Sequence, residues 1–150
     1  MATELEHMLR EGGLRVTRPR QAVLRALRLN PHSDTEAVIR LARADLGSVS
    51  HQTVYDVLHA LTGAGLLRRI QPAGSVARYE ARVGDNHHHV VCRTCGAIQD
   101  VDCALGPAPC LTASDDAGFE IDEAEVVYWG QCPSCSDTTA RTDHRKAPRD

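Results

Sequence analysis

Two Cys-x-x-Cys pairs, Cys92/Cys95 and Cys132/Cys135, constrain this chain more than any other feature, because 36 residues separate them. A Cys-x-x-Cys turn folds back so that two sulfurs reach one ion, and four thiolates form a tetrahedral set suited to structural zinc. The separation exceeds that of a compact zinc ribbon, so the intervening chain must carry the second pair back to the first. The N-terminus Met1-Ala2-Thr3-Glu4 lacks the charged-then-apolar pattern of a signal peptide. Six cysteines in such a chain are expected to stay reduced, which favours metal over disulfide. The alternative is a pair of redox-active thiol couples, which predicts turnover in a thiol-disulfide assay and no stoichiometric zinc. Cys103 and Cys110, at Cys-x6-Cys spacing, form no such knuckle and read as free thiols, with an auxiliary redox or metal role as the alternative.

Aromatic residues make up only 3% of the chain, leaving aliphatic packing and metal to hold the fold. No run approaches the ~18 consecutive apolar residues of a membrane span. A cytoplasmic protein with no membrane partner is therefore expected. The net charge of −3 hides an asymmetry. Residues 1–82 carry 12 Arg against 8 Asp and Glu, a net of +4, and residues 83–150 carry 5 Lys and Arg against 12 Asp and Glu, a net of −7. A basic first part suits nucleic acid, and its cations are all arginine, whose forked guanidinium matches phosphate.

That first part reads as helical with short loops. Leu5, Met8 and Leu9 share a helix face that Gly12-Gly13 terminates. Thr17-Arg18-Pro19 opens a second helix with Val23, Leu24 and Leu27 as its stripe, ended by Asn30-Pro31. Ser33 and Glu36 have capping-box spacing for a third, ahead of Val38 and Leu41. Val54, Val57, Leu58 and Leu61 give a fourth after Ser50, with Gly65 as a left-handed cap. The period then changes to strand (66–71), turn (72–75) and strand (76–80), so the pattern is a winged helix-turn-helix. A generic helical domain with a terminal hairpin is the bland alternative.

Beyond it, strands are expected at 89–92, 97–101 and 119–129, with a loop and short helix over 105–116. The expected class is α+β: a winged helix-turn-helix over 1–82, a hinge at 83–86, a small zinc-containing α/β domain over 87–136, and a disordered tail over 137–150. In a strand, His87 and His89 face one side and His88 the other. With Glu80 and Asp100 they make a nitrogen and oxygen donor set, suited to Fe(II), Mn(II) or another borderline divalent ion. A solvated histidine run is the competing reading. No Ser/His/Asp set or phosphate-cradling glycine loop is present, so no enzyme activity is expected.

The order of winged helix, hinge, His-x-His-x-x-Cys-x-x-Cys, acidic strand and Cys-x-x-Cys resembles the ferric uptake regulator (Fur) superfamily. Motifs carrying the resemblance run from Gly13 to Cys135: Gly13-Leu14-Arg15-Val16-Thr17-Arg18-Pro19-Arg20, Thr53-Val54-Tyr55, Gly65-Leu66, Arg78-Tyr79-Glu80 and His87 through Gly96. The resemblance implies a homodimeric, metal-dependent transcriptional repressor with a C-terminal dimerisation domain. Its structural zinc falls on Cys92, Cys95, Cys132 and Cys135, and its regulatory Fe(II) or Mn(II) site between the domains on His32, Glu80, His87, His89 and Asp100. His32 takes this role from the resemblance alone. The partner implied is double-stranded DNA with a palindromic operator. On that reading Arg15, Arg18 and Arg20 contact phosphate, while Ser50, Gln52, Thr53 and Tyr55 face the major groove.

Two departures stand out. The family commonly has Arg after Thr-Val-Tyr, where this chain has Asp56. A further metal site of many iron-type members falls on Asn86, Pro107 and Ala124, leaving His88 without the other ligands. Asp100, with Asp-Val-Asp-Cys at 100–103 and Ala-Pro-Cys at 108–110, looks like the peroxide-sensing actinobacterial repressors of catalase-peroxidase genes. In that branch iron at the regulatory site reacts with peroxide, a ligand histidine is oxidised, and the dimer releases DNA. Glu80 is instead the iron-type residue, so iron-responsive control of metal-uptake genes is the runner-up.

Overall fold

Four capped helices open the chain, and each cap is a side chain that the sequence places at the right spot. The computed structural model describes residues 3–85, 87–102, 113–121 and 124–138. These fall into two compact units, Met1–Asp85 and Asn86–Asp150.

In the first unit, α1 (Glu4–Glu11) starts at Thr3, whose Oγ1 accepts from the Glu6 N–H, and it buries Leu5 and Leu9. Helix α2 (Arg18–Leu29) starts at Thr17 with proline in its first turn, where the missing N–H costs nothing, and it buries Ala22, Val23, Leu24, Ala26 and Leu27. Helix α4 (His51–Gly63) is capped by Ser50 and buries Val54, Val57, Leu58 and Leu61. After it, Gly65 turns the chain at φ 73°, as the sequence requires of a glycine there. These stripes meet Val38, Ile39 and Ala42 of the remaining helix, together with Leu67 and Tyr79, in one apolar core. Each buried Leu or Val there contributes about 1.5–3 kcal/mol over an exposed one.

The third helix departs from expectation. Ser33 and Asp34 form a short strand, β1 (Ser33–Asp34), and α3 (Thr35–Leu46) follows it. The cap is Asp34, whose side chain accepts from the Ala37 N–H at 2.8 Å, and the Ser33 hydroxyl donates to the Asn30 carbonyl. Ser33 pairs across to Tyr79 and Asp34 to Arg78, and Asp34, the last residue of that strand, is the one next to the helix. The wing strands β2 (Arg68–Ile70) and β3 (Arg78–Glu80) are shorter than expected and pair antiparallel, giving a sheet of order β1-β3-β2. The result is a winged helix-turn-helix with a third strand.

In the second unit, β4 (His87–Cys92) pairs antiparallel with β5 (Ile98–Asp102) and parallel with β6 (Val127–Gly130), in the order β5-β4-β6. Helix α5 (Pro133–Thr138) follows and takes in the first two positions of the expected disordered tail. Of the strand expected over 119–129, the described residues are in a strand only from Val127. Before it, Asp115 and Asp116 side chains accept from the Ala117 and Gly118 N–H groups in tight turns, and Phe119 and Ile121 stay exposed with no paired strand. Residues 113–116 carry neither helix nor strand; the rest of the expected loop and short helix, with Cys103 and Cys110, lies outside the described residues. Among the described residues no helix is long and apolar enough to cross a membrane.

Candidate metal centres and recognition helix

The parallel pairing of β4 with β6 explains how two knuckles far apart in the chain come together. Cys92 ends β4 opposite Gly130 of β6, so the turn after each strand starts from the same edge of the sheet. The first turn closes through the Gly96 N–H to the Cys92 carbonyl, with Gly96 at φ 74°. The second closes through the Cys135 and Ser136 N–H groups to the Cys132 carbonyl. The four sulfurs lie within 4.8 Å of one another. Cys95 Sγ and Cys132 Sγ are 3.7 Å apart, against an edge of about 3.8 Å for a tetrahedron of zinc-sulfur bonds. All four are free thiols.

Electrostatics agree with the geometry. Hydrogen bonds from the backbone of Cys95 and then Cys132 hold the Cys92 thiol down to about 6, against the opposing effect of burial. Contacts with the thiols of Cys132 and then Cys95 push Cys135 up to about 12. Four sulfurs this close resist losing their last protons unless a cation replaces them, so the donor set fits zinc.

The knuckles are also tied by groups that sequence reading passed over. The Thr94 hydroxyl donates to Gln131 Oε1 at 2.7 Å, and Cys92 Sγ lies 3.8 Å from the same oxygen. The Arg93 N–H donates to the Gly130 carbonyl, and the Arg93 guanidinium sits 5.3 Å from the centre of the Trp129 ring. Their only signal in the sequence is adjacency to the cysteines.

The nitrogen and oxygen ligands fall into two groups, one in each unit. On the second unit's sheet, His89 stands opposite Asp100 in register. His89 Nε2 is 3.4 Å and His87 Nε2 3.7 Å from Asp100 Oδ1. The two rings meet edge to face with centres 5.0 Å apart. His88 turns the other way, toward Tyr128. This trio offers two imidazole nitrogens and a carboxylate without sulfur, a set that fits a borderline divalent ion.

In the first unit, His32 Nε2 is 3.3 Å from Glu80 Oε2, with the Glu80 side chain fully buried. The strand the sequence did not reveal makes this pair. With Ser33 opposite Tyr79, the next step of the antiparallel register sets His32 beside Glu80. The His32 N–H donates to the Tyr79 carbonyl, and Arg78 Nη1 donates to the His32 carbonyl. Those bonds hold His32 at φ 65°, a left-handed backbone rare for a residue with a side chain.

The residues expected at DNA lie on the basic unit. Arg15 and Arg18 are exposed and Arg20 is half-buried, with Arg20 Nη1 donating to the Arg15 carbonyl at 2.8 Å. On α4, Ser50 and Thr53 engage each other: the Ser50 hydroxyl accepts from the Thr53 N–H and donates to Thr53 Oγ1. Tyr55 is 49% exposed. Gln52 Nε2 donates to Asp56 Oδ1 at 2.8 Å, both side chains facing solvent.

Known proteins resemble this chain over most of its length. The transcriptional regulator FurA of Mycobacterium tuberculosis is 65% identical over 136 residues, covering 91% of this chain and 92% of that protein. Ferric uptake regulation protein 1 of Mycolicibacterium fortuitum is 66% identical over 136 residues, covering 91% of this chain and 84% of that one. The solved structure of the ferric uptake regulator from Francisella tularensis with iron matches at a TM-score of 0.66 and 26% identity, over 83% of this chain and 96% of that chain. Residues 11–129 match the ferric uptake regulator family as a whole. With so much of its length matched, the chain belongs to the ferric uptake regulator family, whose members are transcriptional regulators and not enzymes.

Proposed function

We propose that this protein is a metal-dependent, peroxide-responsive repressor that binds a palindromic DNA operator as a homodimer and controls catalase and peroxidase genes. The observation that carries the reading is the trio His87, His89 and Asp100, a sulfur-free donor set on the same short sheet as a separate sulfur quartet. Two chemically distinct sets allow one metal to stay while another exchanges.

In this reading Cys92, Cys95, Cys132 and Cys135 hold structural zinc, and His32, Glu80, His87, His89 and Asp100 together hold Fe(II) or Mn(II). The two ligands of the basic unit and the three of the other are then fixed together, which biases the DNA-reading units toward one operator spacing. Fe(II) held by these five residues would supply the electrons that reduce hydrogen peroxide, and the imidazoles of His32, His87 and His89, as ligands, would be the groups open to oxidation. Arg15, Arg18 and Arg20 contact phosphate, so operator affinity falls steeply with salt.

A gel shift on the protein's own upstream region, with Fe(II) or Mn(II) and with or without peroxide, tests the proposal. Release by peroxide with Fe(II) but not with Mn(II), and added oxygen on His32, His87 or His89 by mass spectrometry, are the expected results. Oxidation confined to cysteines would point to a thiol switch instead. His89→Ala should abolish metal-dependent operator binding and leave zinc content intact; unchanged binding would sink the ligand assignment. Iron-responsive control of metal-uptake genes without peroxide chemistry is the second reading. Glu80 and the name of the 66% identical relative favour it, and equal persistence on DNA with both metals under peroxide would select it.

A further inference from the structure

We infer that Asp56 determines specificity in the recognition helix: its carboxylate fixes the amide of Gln52, so that Gln52 reads an adenine in each operator half-site. The inference rests on the DNA-binding reading above and names the residue pair that gives it base selectivity.

Helix α4 buries Val54, Val57, Leu58 and Leu61 and leaves Gln52, Tyr55 and Asp56 exposed. Gln52 and Asp56 are one turn apart, so their side chains are neighbours on that outer surface. Gln52 Nε2 donates to Asp56 Oδ1 at 2.8 Å. A carboxylate only accepts, so chemistry settles which way the amide points: turned over, its oxygen would face the Asp56 oxygen. One N–H is thereby committed to Asp56. The other N–H and the carbonyl oxygen remain as a donor and acceptor side by side.

That pair complements adenine, whose major-groove edge offers N7 as acceptor and the N6 amine as donor. Guanine presents two acceptors, N7 and O6, so a pinned amide would set its own oxygen against O6. A free glutamine avoids that clash by rotating and donating twice. Gln52 does so only by giving up Asp56. The carboxylate also opposes phosphate approach on a unit that is otherwise basic, so Asp56 trades general DNA affinity for discrimination.

The test is a competition panel on full-length, metal-loaded protein. It uses the protein's own upstream operator, with each base pair of one half-site replaced in turn. The variants are Asp56→Ala, Asp56→Asn, Gln52→Ala and the double Asp56→Ala/Gln52→Ala, with zinc content and thermal melting reporting the fold of each. The native chain is expected to prefer A·T at one position by roughly tenfold. Asp56→Ala and Gln52→Ala should each erase that preference, and the double variant should add nothing. Asp56→Asn, which still presents an acceptor oxygen, should retain it. Asp56→Ala keeping the preference that Gln52→Ala loses, or weakening all sequences uniformly, would overturn the inference while leaving the DNA-binding reading intact. Failure of the native chain to distinguish its operator from bulk DNA would overturn both.

Discussion

His32 holds its backbone at φ 65°, where a side chain costs about 1 kcal/mol or more. The wing hydrogen bonds to Tyr79 and from Arg78 impose that conformation. Strain kept at a residue with a buried carboxylate beside it is consistent with a ligand role. His32→Gly is therefore expected to be more stable than His32→Ala by about 1 kcal/mol in urea unfolding, because only glycine relieves the backbone. Both variants should lose metal-dependent DNA binding. Equal stability would mean the strain is not there. In the sequence, His32 is a loop residue after Pro31, and nothing nearby reveals the pairing of Ser33 with Tyr79; only the family resemblance pointed to it. His87, His89 and Asp100 were legible directly, because a strand's period of two puts the histidines on one face.

Secondary structure tells the same story one level up. The boundaries of α1, α2 and α4 follow from local chemistry: hydroxyl caps at Thr3, Thr17 and Ser50, proline in a first turn, and apolar stripes at helical spacing. Helix α3 does not: a two-residue strand, Ser33–Asp34, precedes it, and its last residue Asp34 is the cap instead of Ser33. Asp34→Ala should cost about 1 kcal/mol in thermal unfolding and Ser33→Ala clearly less; the reverse order would restore the cap to Ser33. The strand expected over 119–129 is also shorter than expected among the described residues. A strand needs a neighbour, and β6 finds β4 only from Val127 onward. At the knuckles, Gln131 ties Thr94 to the strand leading into Cys132. Gln131→Ala should lose zinc to a competing chelator at least tenfold more readily, within the ~10–100-fold usual for groups behind metal ligands. An unchanged zinc affinity would make the contact incidental.

At the level of the whole molecule, apolar burial is lopsided among the described residues. The first unit gathers its helices round one aliphatic core, whereas the residues described as buried in the second are His87, His88, His89, Val91 and Cys92. The scarcity of aromatics in the sequence is in keeping with this, and the two cysteine pairs are the expected metal clamp of that unit. The chain's one tryptophan, Trp129, lies in β6 beside the cysteine knuckles. Stripping the metal with a strong chelator should therefore change its fluorescence before the helical circular dichroism signal of the first unit falls. Simultaneous loss of both signals would show that the first unit does not stand without the second. A deeper constraint follows from that polar interior. In the second unit the buried imidazoles are both structural filling and candidate ligands, so a substitution there is expected to alter metal binding and folding together. In the first unit His32 and Glu80 lie outside the aliphatic cluster, yet Glu80 is fully buried and its strand neighbour Tyr79 belongs to that cluster, so there too a candidate ligand cannot be exchanged without touching the scaffold.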